Sequence, residues 1–470
     1  MSSRLRSQLV WRTLEPRPAV RGFMALAAES AQEEATFTVQ VAPREQAIRL
    51  LWIGAEVEHA LMAQYLYAAY TINLQQPEEA MRQDVLRWRN TILAIAREEM
   101  GHLATVENLL TLIGGPLHFD REDFPIVDPD LWPFPFELEP LSKLSLAKYV
   151  LAETPAEDVL VKLGLKDEID AIKRSLKVGG DVTVHRVGLI YDKVNQLFTA
   201  NPMPQGPDVP PYTDQNPSIA TIDIQESTEK YQVTPAAWGL GYGDLLIETA
   251  HDRASAQTAI NLVSEQGEGS SAPSDLDSSH FGRFLKIYRE FPDSNSWKPS
   301  HHVAANPTTK PGNNDPTRTI DGDACNWAEL SNLRYHMLLL YLHHSFLIEA
   351  PSSGPSRSPR GSLISWTFGE MYNLRSLSEI LMGMPLQPGS ELMAGPPFEM
   401  PYTLTLPARE ADRWRTHRDL LNASITLVGR MLEHERQQDL EHKPNRSKYL
   451  QALLTSDTTT LEQVNALVGA

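Results

Sequence analysis

The chain has 470 residues, of which 41% are hydrophobic and 22% charged, so it carries enough apolar material for at least two packed units. Its formal net charge of -18 would repel a phosphate backbone and anionic lipid headgroups, and this excludes nucleic acid and membrane surfaces as expected partners. The single cysteine, Cys325, excludes an internal disulfide and a metal site built from cysteines.

The beginning of the chain does not match a secretory signal. Arginines are scattered between Met1 and Ala28, and the apolar run from Phe23 to Ala28 is shorter than the core of a secretory signal. No later stretch has the roughly eighteen uninterrupted apolar residues of a transmembrane helix. We therefore expect a cytoplasmic protein.

The first ordered elements are predicted to be a pair of long antiparallel helices. Residues 1–40 show no sustained period and are predicted to be a loosely held arm, with one strand through Thr36 to Val41. Apolar residues then recur at helical spacing from Arg44 to Leu74. A turn around Pro77 follows, and a second helix is predicted from Arg82 to Ile113, where Gly114, Gly115 and Pro116 end it.

The next part of the chain is predicted to alternate between helices and proline-rich segments. Residues 116–141 contain six prolines and are predicted to be non-helical. Helices are expected at Ser145 to Ala152, Pro155 to Leu163, Thr183 to Thr199, Arg253 to Glu268 and Phe281 to Glu290, with a proline-rich insertion from Asn201 to Tyr212. Asp252 is well placed to cap the N-terminus of the fourth of these helices.

A second helical unit is expected after a polar loop over residues 291–325. Its helices are predicted at Leu333 to Ile348, Leu363 to Met382 and Asp412 to Glu435. The chain is therefore predicted to be all-α, with long proline-rich loops. We divide it into an arm (1–40), a metal-binding bundle (41–295), a linker (296–325) and a C-terminal helical unit (326–470).

The first two helices carry a candidate metal site. Glu99 and His102 are three residues apart, so both side chains lie on one face of a helix. Glu58 lies about as far before the predicted turn as Glu99 lies after it, so equal helical rise puts them at the same height. The alternative is that Glu58 and Glu99 face water on opposite outer surfaces. We expect the neighbouring Glu56 and Glu98 to face water, because adjacent helix positions point about 100° apart.

A second pair at ligand spacing lies at the end of the helix that Asp252 caps. Glu265 and Glu268 are three residues apart, and Gly267 between them either allows a close approach to a metal or substrate or simply ends the helix. His280 follows after a short loop, as a nitrogen ligand or as a surface histidine. Carboxylates and imidazoles without a thiolate suit iron or manganese, and such ions bind and activate dioxygen or peroxide.

Four segments of the chain carry a resemblance to a known family. They are Glu56 to Tyr70 (EVEHALMAQYLYAAY), Ile95 to Gly115 (IAREEMGHLATVENLLTLIGG), Ala259 to Gly269 (AINLVSEQGEG) and Ser279 to Phe284 (SHFGRF). Together they resemble the ferritin-like family named for iminophenyl-pyruvate dimer synthase, and Arg334 to Phe346 and Met393 to Pro401 also resemble it. The chain is similar to part of the longer bisindole-forming enzymes of violacein-type pathways.

The resemblance implies a ferritin-like bundle and assigns site residues. Glu58 followed by Tyr65 matches the pattern of the first ferritin helix, and Tyr65 is our candidate catalytic residue. Glu99 and His102 match the ligands of the second helix, and Glu265 and Glu268 match a later pair. The sequence departs from the pattern in the third helix, where Leu189 occupies the place of a bridging glutamate; His185 or Asp192 could substitute for it. We therefore expect either one metal ion or an asymmetric pair.

The resemblance also implies a function, which is the oxidative coupling of two imines derived from aromatic amino acids. We therefore predict a non-heme iron-dependent oxidoreductase or oxidative coupling enzyme of secondary metabolism. Its expected partners are an amino-acid-derived small molecule and dioxygen or peroxide, and its expected cofactor is one or two iron ions, with manganese as the other possibility. The alternative is a metal-binding helical bundle without turnover. Whether the chain forms a homo-oligomer is left open.

Overall fold

The structure is a computed structural model, and it describes thirteen stretches of the chain. They are residues 5–13, 33–39, 41–129, 131–179, 183–199, 218–234, 247–268, 276–293, 297–310, 315–349, 358–400, 404–437 and 444–468. The proline-rich insertion predicted from Asn201 to Tyr212 lies outside these stretches.

The described elements are almost all helical, which confirms the predicted all-α class. In chain order they are β1 (Leu9–Thr13), β2 (Glu33–Phe37), α1 (Pro43–Thr71), α2 (Glu79–Leu112), α3 (Lys143–Ala152), α4 (Glu157–Leu163), α5 (Lys166–Ser175), α6 (Arg186–Leu197), two 3-10 segments (Thr221–Asp223 and Glu226–Tyr231), α7 (Arg253–Glu268), α8 (His280–Glu290), α9 (Asp323–Ser345), α10 (Pro359–Leu381), α11 (Glu410–Gln437) and α12 (Pro444–Val468). The long helices thus begin and end close to the predicted residues, with the exceptions below.

The N-terminal arm is more ordered than we predicted. β2 ends at Phe37 rather than running from Thr36 to Val41, and it pairs antiparallel with β1. Arg6 lies just before β1 and is buried in an ion pair with Glu56 of α1. Periodicity did not reveal this contact, because Arg6 finds its partner fifty residues away in the sequence.

Three helices differ from the predicted ones for reasons of composition. In α5 only Ile169 and Ile172 are buried, so its apolar signal is too thin to identify a helix from the sequence. Helix α9 begins at Asp323, ten residues before the predicted start at Leu333, and its first turns bury Trp327. Helix α12 was not predicted, since its sequence is largely polar, although Leu450, Leu453 and Val464 are buried.

Helix α1 is the central element of the first part of the fold. From Ala47 to Thr71 every side chain is buried except Arg49, Trp52 and Leu66, because α2, α6 and α10 pack against α1 from different sides. A charged side chain that is buried on this helix cannot reach water and therefore needs a compensating group inside the protein. Three such residues, Glu56, Glu58 and His59, stand in a row near its middle.

Helices α9 to α12 form a second group, in which α9 packs on α10 and α11, and α11 packs on α12. Arg334 of α9 is buried at the centre of this group and pairs with Glu370 of α10 and Asp457 of α12. The two groups share a hydrophobic core, since Leu338 and Phe346 of α9 belong to the cluster that includes α1. None of the described helices combines the length and the apolar composition needed to cross a bilayer.

Candidate metal centre

The helical hairpin brings Glu58, Glu99 and His102 together, as their positions along α1 and α2 predicted. Nδ1 of His102 lies 3.0 Å from Oε2 of Glu99 and 3.4 Å from Oε2 of Glu58. All three side chains are buried. The two carboxylates therefore face each other across a single imidazole nitrogen, and neither faces water.

His280 enters the same group from the first residue of α8. Its Nδ1 lies 2.8 Å from Oε1 of Glu99, yet both atoms are buried and neither makes a hydrogen bond of ordinary geometry. Glu99, His102 and His280 each offer a ligand atom within 4.8 Å of the other two. A buried polar atom without a hydrogen bond is costly, and two of them at close range mark a place for a further group.

In both histidines, the ring nitrogen Nε2 is hydrogen-bonded to a side chain outside the candidate centre. Nε2 of His102 donates to Oε1 of Gln266 at 2.9 Å, and Nε2 of His280 donates to Oε2 of Glu98 at 2.8 Å. This leaves Nδ1 of each ring directed towards Glu99. Metal-binding histidines commonly donate their other ring N–H to such an outer partner, which sets the tautomer and the ring orientation.

Glu153 is a site residue that our sequence analysis missed. It follows the last residue of α3, it is buried, and its Oε2 lies 3.7 Å from Nδ1 of His280. No histidine or carboxylate stands three residues from it in the sequence, so the spacing that marked the other ligand pairs did not mark it. The structure thus surrounds the two imidazoles with three carboxylates, those of Glu58, Glu99 and Glu153.

Two buried tyrosines donate hydrogen bonds to these carboxylates. Tyr65, the candidate catalytic residue, donates to Oε1 of Glu153, and Tyr191 of α6 donates to Oε1 of Glu58. Gly54 lies opposite Tyr191, and a Cβ at that position would stand 3.2 Å from the tyrosine hydroxyl. A side chain there would therefore crowd the hydroxyl that reaches Glu58.

The second ligand-spaced pair is placed differently from the first. Glu265 lies on the exposed side of α7 and is not part of the buried group. Glu268 is the last residue of α7, and its side chain lies outside the described part of the structure. Gln266 is the residue of this segment that contacts His102, and Gly267 lies against Glu153, since a Cβ would stand 3.4 Å from its Oε2.

In the third-helix segment, Tyr191 is the residue that reaches the centre. Leu189 is half-buried on α6, Asp192 is exposed, and Nδ1 of His185 lies 3.3 Å from the carbonyl oxygen of Thr154. The carboxylate that stands near His280 instead comes from Glu153, on a different helix.

Our prediction that Glu56 and Glu98 face water was wrong, because both are buried. Glu98 pairs with Arg283 of α8 as well as with His280, and Glu56 pairs with Arg6 and with Nε2 of His118 at 2.8 Å. An ionised carboxylate is stable in the interior when cations and hydrogen bonds compensate it. Both arginines lie far from their partners in the sequence, so helical spacing could not reveal them.

In the protein alone, the imidazoles balance the negative charge of the centre. Burial, followed by the charge of Glu99, raises the pKa of Glu58 to about 7. Burial lowers the pKa of His102, but hydrogen bonds to Glu58 and Glu99 outweigh it and raise that pKa to about 10. Burial likewise opposes protonation of His280, yet the charge of Glu99 raises its pKa well above the usual value. Two protons thus occupy positions where a bound cation would supply the charge.

The donor set and the space around it fit an iron-type ion. A cavity of about 30 Å³ lies between Glu58, Glu99, His102, Glu153 and Gly267. A volume of this size accommodates one or two atoms of water size and excludes a larger organic molecule. Carboxylates and imidazoles without a thiolate are the donors that iron and manganese take in open sites.

Three comparisons relate the chain to known proteins. The ferritin-like family model matches residues 51–289. The chain is 26% identical over 399 residues to dichlorochromopyrrolate synthase from Lentzea aerocolonigenes, covering 77% of this chain but 36% of that protein. It therefore spans about a third of the length of this relative. A crystal structure of a ferritin-like protein from Caulobacter vibrioides superposes with a TM-score of 0.41 at 16% identity, covering 72% of this chain and 97% of that one.

The matched segment contains every element that forms the centre. It begins within α1 and ends within α8, and so includes Glu58, Glu99, His102, Glu153 and His280. It also accounts for half of the chain. The chain therefore belongs to the ferritin-like family.

Proposed function

We propose that this chain is an iron-dependent oxidoreductase that acts on a small molecule derived from an amino acid, with dioxygen or peroxide as the oxidant. The observation that carries the proposal is the pair of buried atoms, Oε1 of Glu99 and Nδ1 of His280, which lie 2.8 Å apart beside a second imidazole without a hydrogen bond of ordinary geometry. A packing role alone does not require ligand atoms to converge without hydrogen bonds.

In this proposal Glu58, Glu99, His102, Glu153 and His280 hold the metal, and manganese is the other ion that suits them. When bound, an iron-type ion supplies the capacity to bind and reduce dioxygen or peroxide. Gln266 and Glu98 fix the two imidazole rings from outside. The small cavity and its buried walls keep bulk water away from the centre.

Tyr65 is our proposed catalytic residue. Its hydroxyl donates to Glu153, and burial raises the pKa of this hydroxyl well above its usual value, so it carries its proton at neutral pH. The raised pKa makes the hydroxyl a weak acid, so we propose that it gives up this proton, by way of the carboxylate of Glu153, only when a strong base forms at the centre as the oxidant is reduced. Tyr65→Phe should retain the metal and lower turnover by roughly 10²-fold, the usual scale for a lost proton donor. Native turnover in this variant would remove Tyr65 from the catalytic residues.

The similarity to a synthase supports an enzymatic role and a biosynthetic reaction. We propose the oxidative coupling of two imines derived from aromatic amino acids, as the resemblance to the iminophenyl-pyruvate dimer synthase family implies. The protein would then consume the products of an amino-acid oxidase, which releases both an imine and peroxide. This substrate assignment rests on similarity, whereas the metal assignment rests on the geometry of the centre.

The test is to load the purified protein with ferrous iron without oxygen and to measure the iron bound per chain by elemental analysis. His102→Ala and His280→Ala should lose most of it, and His251→Ala, an exposed histidine near α7, should not. Equal iron content in all four proteins would refute the metal centre.

Turnover is then tested by mass spectrometry of coupled products, with the imine produced by an L-amino-acid oxidase from phenylalanine or tryptophan. Coupled products in the native protein that disappear in His280→Ala would support the enzyme. A protein that binds iron but consumes neither oxygen nor peroxide with either imine would instead be a metal-binding bundle without turnover.

A further inference from the structure

A large cavity lies between the two helical groups, away from the metal centre. Its volume is about 430 Å³, and α1 and α2 form one side while α9 and α10 form the other. Its walls are mostly apolar and include Met62, Leu66, Phe368 and Met371. Cavities of a few hundred cubic ångströms with apolar walls are typical binding sites for small organic molecules.

The volumes of the two cavities differ by more than tenfold, so they can hold molecules of different size. The cavity at the metal centre, about 30 Å³, has room for water-sized molecules. The larger cavity, about 430 Å³, has room for an aromatic molecule. The oxidant and the organic substrate therefore fit different places in this structure.

The charge at the larger cavity favours an anion. Two arginines line it, and Arg375 is paired with Glu379 of the same helix, whereas Arg97 is exposed and makes no ion pair or hydrogen bond within the described residues. The acidic residue in its wall, Glu98, is already paired with Arg283. The unpaired guanidinium of Arg97 is thus available to a carboxylate, which it can bind through two parallel hydrogen bonds.

We propose that this cavity is the binding site for the organic substrate, that it takes an aromatic molecule with one carboxylate, and that Arg97 is the residue that anchors the carboxylate. The identification of the ligand as the substrate rests on the proposed function. The binding site itself does not, because its shape and charge do not involve the metal.

Helix α2 separates this site from the metal centre, and Glu98 connects them. The side chain of Glu98 lines the large cavity, and its Oε2 accepts the hydrogen bond from Nε2 of His280. Glu99, the next residue, faces the centre. A ligand in the cavity would therefore lie one side chain away from a proposed metal-binding histidine without contacting the metal.

The test uses metal-free protein and two probes of nearly the same shape, indole-3-acetate and the uncharged indole-3-acetamide, with binding measured by calorimetry. The native protein should prefer the carboxylate. Arg97→Gln should weaken indole-3-acetate by roughly tenfold to a hundredfold and remove this preference, while leaving indole-3-acetamide unchanged. The matched control is Arg430→Gln, since Arg430 is also an exposed arginine on a long helix but does not line the cavity. Native affinities are expected in this control.

A second variant, Met371→Trp, fills the cavity and should weaken both probes, with far-ultraviolet circular dichroism as the check that it is folded. Unchanged affinity for indole-3-acetate in Arg97→Gln, or unchanged affinity for both probes in a folded Met371→Trp, would overturn the proposal. Because no metal is present, these results do not depend on whether the centre binds iron. Failure of iron loading would refute the proposed function and leave the binding site standing.

Discussion

Glu98→Gln tests whether the carboxylate that accepts the hydrogen bond from Nε2 of His280 is needed for full metal affinity. The substitution keeps the size of the side chain but removes the charge that faces Arg283 and His280. A glutamine also places an N–H group opposite one of these two donors, because it has a single acceptor oxygen where the carboxylate has two. We therefore expect the imidazole of His280 to lose its fixed orientation.

The size of the effect follows from the position of Glu98. It contacts a proposed ligand but is not one, and the loss of such an outer partner typically costs tenfold to a hundredfold in metal affinity. This corresponds to about 1.4–2.7 kcal/mol of binding free energy. The loss of a charge-assisted hydrogen bond to Arg283 should in addition lower the free energy of unfolding by about 1.5–3 kcal/mol.

The assay is an anaerobic titration of ferrous iron against a competing chelator, together with urea unfolding. Glu107→Gln is the matched control, since Glu107 is also buried on α2 and burial raises its pKa well above the usual value, but it accepts a hydrogen bond from the backbone N–H of His118 instead of contacting His280. Its amide variant should bind iron as the native protein does. Native affinity in Glu98→Gln, or the same loss in both variants, would refute the role assigned to Glu98.

Three further predictions concern other parts of the structure. Glu153→Gln should lower the iron bound per chain, because it removes a carboxylate near the centre, whereas Leu189→Glu should leave it unchanged, because Tyr191 and not Leu189 lines the cavity at the centre; native iron content in Glu153→Gln, or a rise in Leu189→Glu, would contradict these assignments. Arg334→Met leaves Glu370 and Asp457 buried without their cation, and urea unfolding should show a loss of about 3–5 kcal/mol, against no change in Arg415→Met, an exposed arginine; a loss under about 1 kcal/mol would contradict this. Burial lowers the pKa of His343 to about 4, so below pH 6.5 the unfolded chain takes up a proton that the folded chain does not, and the free energy of unfolding should fall towards pH 4 by about 1.4 kcal/mol per pH unit. His343→Gln should make that decline shallower, and an identical pH profile would count against the assignment.

The sequence was sufficient to predict the helical hairpin and the three residues that it brings together. Helical periodicity located α1 and α2, and equal rise from their turn put Glu58 level with Glu99 and His102. These are local quantities, which depend on spacing within one helix or across one turn.

The residues that could not be predicted depend on packing between distant segments. Glu153 reaches the centre because α3 lies against α8, and nothing within ten residues of it indicates that contact. Glu98 is buried because Arg283, 185 residues later, supplies its counter-charge. Helical spacing alone predicted that Glu98 faces water, because spacing within one helix contains no information about a cation on another helix.

The position of α2 between the two cavities has a kinetic consequence. One face of the helix presents Glu99 to the centre, and another presents Arg97 to the larger cavity. Two ligands separated by a helix do not exclude each other, so either can enter first. Initial rates measured against both concentrations should then follow a random-order rate law, in which an excess of the organic substrate does not inhibit by occupying the place of the oxidant.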